Sequence, residues 1–276
     1  MSDRPAADAA PLLLLASHGS RHPAAQGAVL ALVDAVTRAV GQVAPQASVV
    51  GGFVDVQQPD VPACLAAAEP AVPVVVVPLL VSAGYHVRFD LANAAAAAEP
   101  RTVVVTDALG PDERLARLLA DRLGDCGLRP GDSVILAAAG SSDANAIEDC
   151  RTAGAQLAAL LGRPVTVAFI AAAQPRLADA VAAARMQSPD ARVVLASYLL
   201  APGTFAALAR EAGADLVSAT LLVEGEPPPA DLVNVVVDRY RAAAAAHAAT
   251  AAASASAAAS ASAAASASAA DESPAA

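Results

Sequence analysis

Tryptophan is absent from this chain of 276 residues, and aromatic residues make up only 3% of it. Positive charge is also scarce: Lys and Arg number 17 against 27 Asp and Glu, a net charge of −10. That deficit argues against nucleic acid as a partner, because phosphate contacts need Lys and Arg. It argues equally against a membrane-surface helix, whose polar face is rich in the same residues. Apolar residues are 56% of the sequence, yet they come as Ala and short Val/Leu runs. No run reaches the roughly 20 apolar residues that span a bilayer. Leu12 to Leu15 is too short for a signal peptide, and Asp3 and Asp8 precede it beside only Arg4. We read this run as a first β-strand of a cytoplasmic protein.

Cysteine is sparse too. Cys64, Cys126 and Cys150 are odd in number, and their spacing matches no zinc knuckle or redox pair. They read as isolated thiols of a reducing compartment. Large side chains are missing from the Ala/Ser-rich stretch 242–276, which cannot bury a core and is set outside the fold.

What is present is an alternation. Pro11–Ser17, Ala47–Val54, Val74–Leu80 and Thr102–Thr106 read as strands; segments near Ala24–Val40, Asp60–Ala68, Val87–Ala98 and Asp112–Leu123 read as helices. Continuous apolar strands imply a parallel sheet covered on both faces, hence an α/β fold. The second half repeats the order. Strands are expected at Ser133–Ala138, Val165–Ile170, Arg192–Ser197 and Leu216–Leu222, and helices near Asp143–Leu161, Pro175–Met186, Pro202–Ala212 and Ala230–Ala245. Pro130–Gly131 punctuates the join.

The halves also match residue by residue. His18-Gly19-Ser20 aligns with Ala139-Gly140-Ser141, Gln58-Pro59 with Gln174-Pro175, and Gly84-Tyr85-His86 with Gly203-Thr204-Phe205, all at offsets of about 120 residues. The expected organisation is an extension over 1–10, a first domain over 11–124, a linker over 125–131, a degenerate second domain over 132–241 and the tail over 242–276. His18 faces Ala139 and His86 faces Phe205, so one working site is expected, on the first half. The second half then serves as wall or lid, and Phe205 is expected to matter mainly for stability.

Ligands of open α/β sheets bind beyond the carboxyl ends of the strands. His18 follows strand one, Asp55 strand two and His86 strand three. Two imidazoles and a carboxylate suit a borderline divalent metal such as Co, Ni, Fe or Zn. Ser20 is placed to cap the helix that follows, and Arg21 to pair a carboxylate. His22 reads as a surface residue, and His247 lies in the Ala-rich tail.

Three stretches carry a resemblance: Ala16-Ser17-His18-Gly19-Ser20-Arg21, Phe53-Val54-Asp55-Val56-Gln57-Gln58-Pro59, and Pro78-Leu79-Leu80-Val81-Ser82-Ala83-Gly84-Tyr85-His86-Val87-Arg88-Phe89-Asp90. Over about residues 11 to 240 the chain resembles the sirohydrochlorin chelatases, the class II cobalt- and ferrochelatases, in their long two-domain form. The resemblance implies two similar domains, each a small parallel sheet flanked by helices, with the site in the cleft between them. It implies that His18 and His86 bind the incoming metal and accept pyrrole N–H protons, helped by an acidic residue at Asp55. The family commonly has Glu there, in a Phe-Leu-Glu-Leu pattern; with one methylene fewer, both direct ligation and a bridging water stay open. Substrate contacts are expected from Ser20, Arg21, Ser82, Gly84, Tyr85 and Arg88. The expected reaction is insertion of Co²⁺ or Fe²⁺, with Ni²⁺ as a further candidate, into sirohydrochlorin or a related precorrin of siroheme or cobalamin synthesis. The expected protein is a pseudo-symmetric monomer with a tetrapyrrole partner and no prosthetic group.

Other readings stay open at this point. A Co/Ni-binding or delivery protein would use the same His-His-Asp set without chemistry, and a closed interface between the halves would favour it. A phosphatase built on Ser-His-Gly-Ser-Arg-His has the wrong residue order, and a pure scaffold leaves the strand-end histidines unexplained.

Overall fold

The structure, a computed structural model, describes residues 10–82 and 84–271; the side chains at 85–87, 255 and 258–271 lie outside the described set. The expected N-terminal extension lies outside it as well, except for residue 10. The first half runs β1 (Leu12–Ser17), α1 (Pro23–Val43), β2 (Val49–Phe53), α2 (Val61–Ala67), β3 (Val74–Pro78), α3 (Tyr85–Ala97), β4 (Val103–Val105) and α4 (Glu113–Asp125). The second runs β5 (Ser133–Ala138), α5 (Ala144–Leu161), β6 (Val165–Phe169), α6 (Leu177–Gln187), β7 (Val193–Tyr198), α7 (Thr204–Arg210), β8 (Leu216–Val217) and α8 (Ala230–Asp271).

Each half forms a four-stranded sheet, ordered β2-β1-β3-β4 and β6-β5-β7-β8. Every named pair is parallel; Leu14 sits between Val50 and Val76, and Leu136 between Val167 and Ala196. All five residues of β3 are buried, which is why that strand reads as an unbroken apolar run. The duplicated α/β architecture expected from the sequence is thus observed.

Local signals set the helix starts. Asp60, Asp112 and Asp143 cap α2, α4 and α5, each accepting a backbone N–H at 2.8–2.9 Å. Ser20 does not cap α1. The cap position is His22, without a side-chain bond, and Pro23 opens the helix. The Ser20 hydroxyl instead accepts from the His22 N–H at 3.0 Å.

By length and composition α1 is the one described helix apolar enough to cross a membrane. Here its Ala25, Ala28, Leu32, Val36 and Val40 recur every three or four residues and are buried, as on a helix that lays one face on a sheet.

The expected strand Leu216–Leu222 is cut to two residues. At Ser218 the side chain takes over: its Oγ accepts from Ser197 N–H at 3.0 Å, and its carbonyl accepts from the Ser197 hydroxyl at 2.9 Å. Such side-chain bonds compete with a strand ladder.

The last helix of each half crosses to the other half. Helix α4 packs on α5 and β7, while α8 packs on α1 and β3. One core cluster therefore holds Leu13, Leu15 and Val75 together with Val235 and Val236, and Leu119 together with Leu136 and Val194. Each buried Leu contributes about 1.5–3 kcal/mol, so neither sheet is complete alone. Tyr240 of α8 donates to the Pro11 carbonyl at 2.7 Å, and Tyr198 of β7 donates to the Val81 carbonyl at 3.1 Å. Burial pushes the Tyr198 hydroxyl far above its ordinary range, so it stays protonated and remains a donor.

The Ala/Ser stretch set outside the fold is helical up to Asp271, as the continuation of α8. Ala has the best intrinsic helix propensity, and Ala243 and Ala244 still touch the core.

Candidate functional site

The strand order places a switch point between β1 and β3, where the chain first turns to one side of the sheet and then to the other. Ligand crevices open there, beyond the carboxyl ends. His18 follows β1, and the segment from Gly84 follows β3 on its way into α3. His86 lies in the first turn of α3; its side chain, like that of Tyr85, is outside the described residues.

The loop after β1 is built by backbone. Val54 N–H donates to the Ser17 carbonyl at 2.8 Å, and Asp55 N–H to the His18 carbonyl at 3.1 Å. Gly19 takes φ 90°, and any Cβ there would collide with the Asp55 carbonyl oxygen. Only glycine satisfies both demands. Two glutamines then clamp the loop: Ser20 N–H donates to Gln57 Oε1 at 2.8 Å, and Gln26 Nε2 donates to the Ser20 carbonyl at 2.7 Å. Neither had a role in the sequence reading. Gln57 stood in a quoted motif; Gln26 carried no signal.

His18 is exposed and opens on a cleft of about 510 Å³. Ser20, Arg21, Gln26, Val56 and Gln57 line it from the first half, and Leu199 to Phe205 from the second. Arg21 is exposed and makes no ion pair among the described residues, so its guanidinium is available to an anion.

The two halves interlock reciprocally. Gly84 lies against Ser141, where an added Cβ would come within 2.8 Å of the hydroxyl, and a Cβ added to Gly203 would lie 4.0 Å from the Ser20 hydroxyl. Each half's glycine thus meets the serine of the other half's Gly-Ser turn.

The remaining expected residues are placed differently. Asp55 does not line the His18 cleft. Its Oδ1 accepts from Val56 N–H at 2.7 Å, and it borders a separate hollow with Gln58 and Asp60. Ser82 lies beside the buried Cys150 thiol, which burial pushes up against the smaller, opposing influence of Ser82. Arg88 reaches across to α5, 3.8 Å from Asp149. Burial, ahead of the charges around it, holds the Asp149 carboxyl above its usual range. Among the described residues no three His, Cys, Asp or Glu side chains converge as a metal cluster. Phe205, expected to serve mainly stability, is no core residue: it is 43% exposed and lines the cleft.

Fold and site together define a duplicated parallel α/β protein whose ligand cleft is shared by its halves and takes its described histidine from the first alone. The family model CbiX matches residues 12–126 and 133–212, and the chain belongs to the CbiX family. No curated protein sequence matches the chain. Among solved structures it is similar to SirB from Bacillus subtilis with Fe³⁺, at 20% identity and TM-score 0.66, covering 84% of this chain and 94% of that one. It is similar to the SirB of Bacillus subtilis subspecies spizizenii, a sirohydrochlorin chelatase in complex with cobalt, at 17% identity and TM-score 0.60 over the same shares. It is also similar to CbiX described as the terminal enzyme of siroheme biosynthesis in denitrifying bacteria, at 22% identity and TM-score 0.56, covering 82% and 98%. The sequence-based assignment to the chelatase family is borne out.

Proposed function

We propose that this protein inserts a divalent metal, Co²⁺ or Fe²⁺, into sirohydrochlorin, with His18 and His86 as the working pair. The carrying observation is His18 at the switch point of one sheet, open to a cleft that both halves line. A neutral imidazole binds a divalent metal and also accepts a proton. The metal is handed from imidazole to the ring nitrogens as two pyrrole N–H protons leave; one M²⁺ replaces two H⁺, so the core charge of the macrocycle is unchanged. Arg21 meets the peripheral carboxylates, and Arg88 joins it when a substrate carboxylate displaces Asp149. Asp55 acts from the neighbouring hollow, through water or on the metal before it enters the cleft.

The open cleft counts against a closed metal carrier, whose ligands would encircle the ion. Ni²⁺ has similar ligand preferences and is a further candidate. The duplicated fold supplies within one chain what a dimer of half-length subunits would supply, which supports a monomer. The three free thiols suit the cytoplasm.

The test mixes purified protein with sirohydrochlorin and Co²⁺, Fe²⁺ or Ni²⁺ and follows the tetrapyrrole absorbance. Acceleration over the spontaneous rate is expected with at least one metal. No acceleration with any of them sinks the chelatase reading.

A further inference from the structure

Two large apolar side chains at the cleft belong to no core. Val56 from the first half and Phe205 from the second are each 43% exposed, and both line the cavity onto which His18 opens. Exposed apolar surface inside a cleft marks where a ligand settles.

Val56 is held there against its own preference. It has φ 66°, a left-handed conformation in which a β-branched residue is an outlier. Bonds on either side hold the turn: Val56 N–H to Asp55 Oδ1 at 2.7 Å, and Gln57 N–H to the Asp55 carbonyl at 2.7 Å. The matching turn of the second half has Ala172 at φ 58°. The bend is common to both halves, but the apolar branch occurs only on the side of His18. Strain persists where the surroundings over-determine it, commonly at ligand clamps.

Phe205 sits in the first turn of α7, next to Thr204 and two residues beyond Gly203, whose φ of 152° only glycine adopts readily. In the repeat it stands where the first half has His86. The duplicated position has exchanged an imidazole for a larger ring without a donor atom, and that ring remains accessible.

We propose that Phe205, together with Val56, is the apolar seat for the flat ring of the tetrapyrrole. The second half then contributes a substrate-binding residue, beyond acting as a wall. The assignment rests on the chelatase reading and deepens it. The cleft offers apolar surface for the ring face beside the unpaired Arg21 for a carboxylate, a combination that fits a planar polyanion and not a bare metal ion. Aromatic rings stack in offset fashion on such faces.

The experiment separates the two ligands on the full chain. Metal-free sirohydrochlorin is titrated with protein and followed by its fluorescence, and Co²⁺ binding is measured separately by calorimetry. Phe205→Ala is expected to weaken tetrapyrrole binding about tenfold, equivalent to about 1.4 kcal/mol. Phe205→Leu, which keeps bulk but not the ring, and Val56→Ala are each expected to weaken it about threefold, on the scale of a lost stacking or methyl contact. Co²⁺ affinity and melting temperature stay at the wild-type values. Wild-type tetrapyrrole affinity in Phe205→Ala overturns the proposal, as does an equal loss of Co²⁺ affinity. If Phe205→Ala melts early, Phe205→Leu decides by the same criteria. A wild-type protein that binds the tetrapyrrole without inserting metal sinks the chelatase reading and leaves the seat standing. A wild-type protein that does not bind it overturns both.

Discussion

Gly19 in the first half and Gly140 in the second both take a positive φ, and a Cβ on either would strike a carbonyl oxygen, of Asp55 or Ala171. Val56 and Ala172 follow with the same left-handed bend, and the bridges Phe53 to Asp60 and Phe169 to Arg176 repeat beside them. The scaffold has been kept through duplication while the side chains it presents have diverged. At the sheet tops the first half has His18, Val56 and His86 where the second has Ala139, Ala172 and Phe205. At the sheet bases the contrast runs the other way. Asp132 and Arg192 clasp β5 to β7 with two bonds of 2.9 and 2.6 Å. The first half has Pro11 and Pro73 there, and Tyr240 of α8 closes the base from the other half. Backbone geometry is the costly thing to change; the chemistry attached to it is free to drift.

Four variants sharpen or break this contrast. The largest effect is expected from ending the chain after Pro229. Without α8 the β1–β3 face of the first half loses its cover, and cooperative thermal melting should vanish for the whole molecule. Survival of a normally melting first half would refute the exchange of helices. Next, His18→Ala should lower turnover by about 10²–10⁴-fold, the range for losing a proton-transfer group, with the melting temperature unchanged because His18 is exposed. A small loss would place the chemistry elsewhere.

A smaller effect is expected at the base of the second sheet. The Arg192 guanidinium, more than the neighbouring backbone, holds the Asp132 carboxyl below its usual range. A carboxyl depressed in the folded state stabilises it above the unfolded pKa of about 3.9, and the benefit fades as pH falls through the folded value. Asp132→Asn should therefore melt several degrees early at pH 7, with the gap to wild type closing below about pH 4. A gap that widens in acid would contradict the assignment. The smallest effect is expected from ending the chain after Ala245. This removes the Ala/Ser continuation of α8 and should change neither melting nor metal insertion.

Much of this was legible in the sequence. Val/Leu runs bounded by Gly and Pro located seven of the eight strands within a residue or two, β5 matching at both ends, while β8 stops five residues before its expected end. The Gly-Ser and Gln-Pro anchors revealed the duplication. The exchange of α4 and α8 was not legible. An apolar stripe such as Leu115, Leu119 and Leu123 says that a helix buries one face, but not which sheet it covers. Arg88 could be named as a cation but not as the partner of Asp149, since the pair is formed only when the halves meet. The clamp by Gln26 and Gln57 was hidden for the same reason: it depends on three segments arriving together. Ser218 ended a strand through a bond to Ser197 that no periodicity encodes.

The bond from Tyr240, in the third turn of α8, to the carbonyl of Pro11, just ahead of β1, carries a consequence for synthesis on the ribosome. Strands β1 and β3 emerge early, but α8, which covers them, follows every other described element. Until then their apolar face is without its native cover, so the nascent first half is a natural client for a chaperone. Long-range closure of this kind slows folding, and the order of translation makes a late helix decide when an early sheet becomes stable.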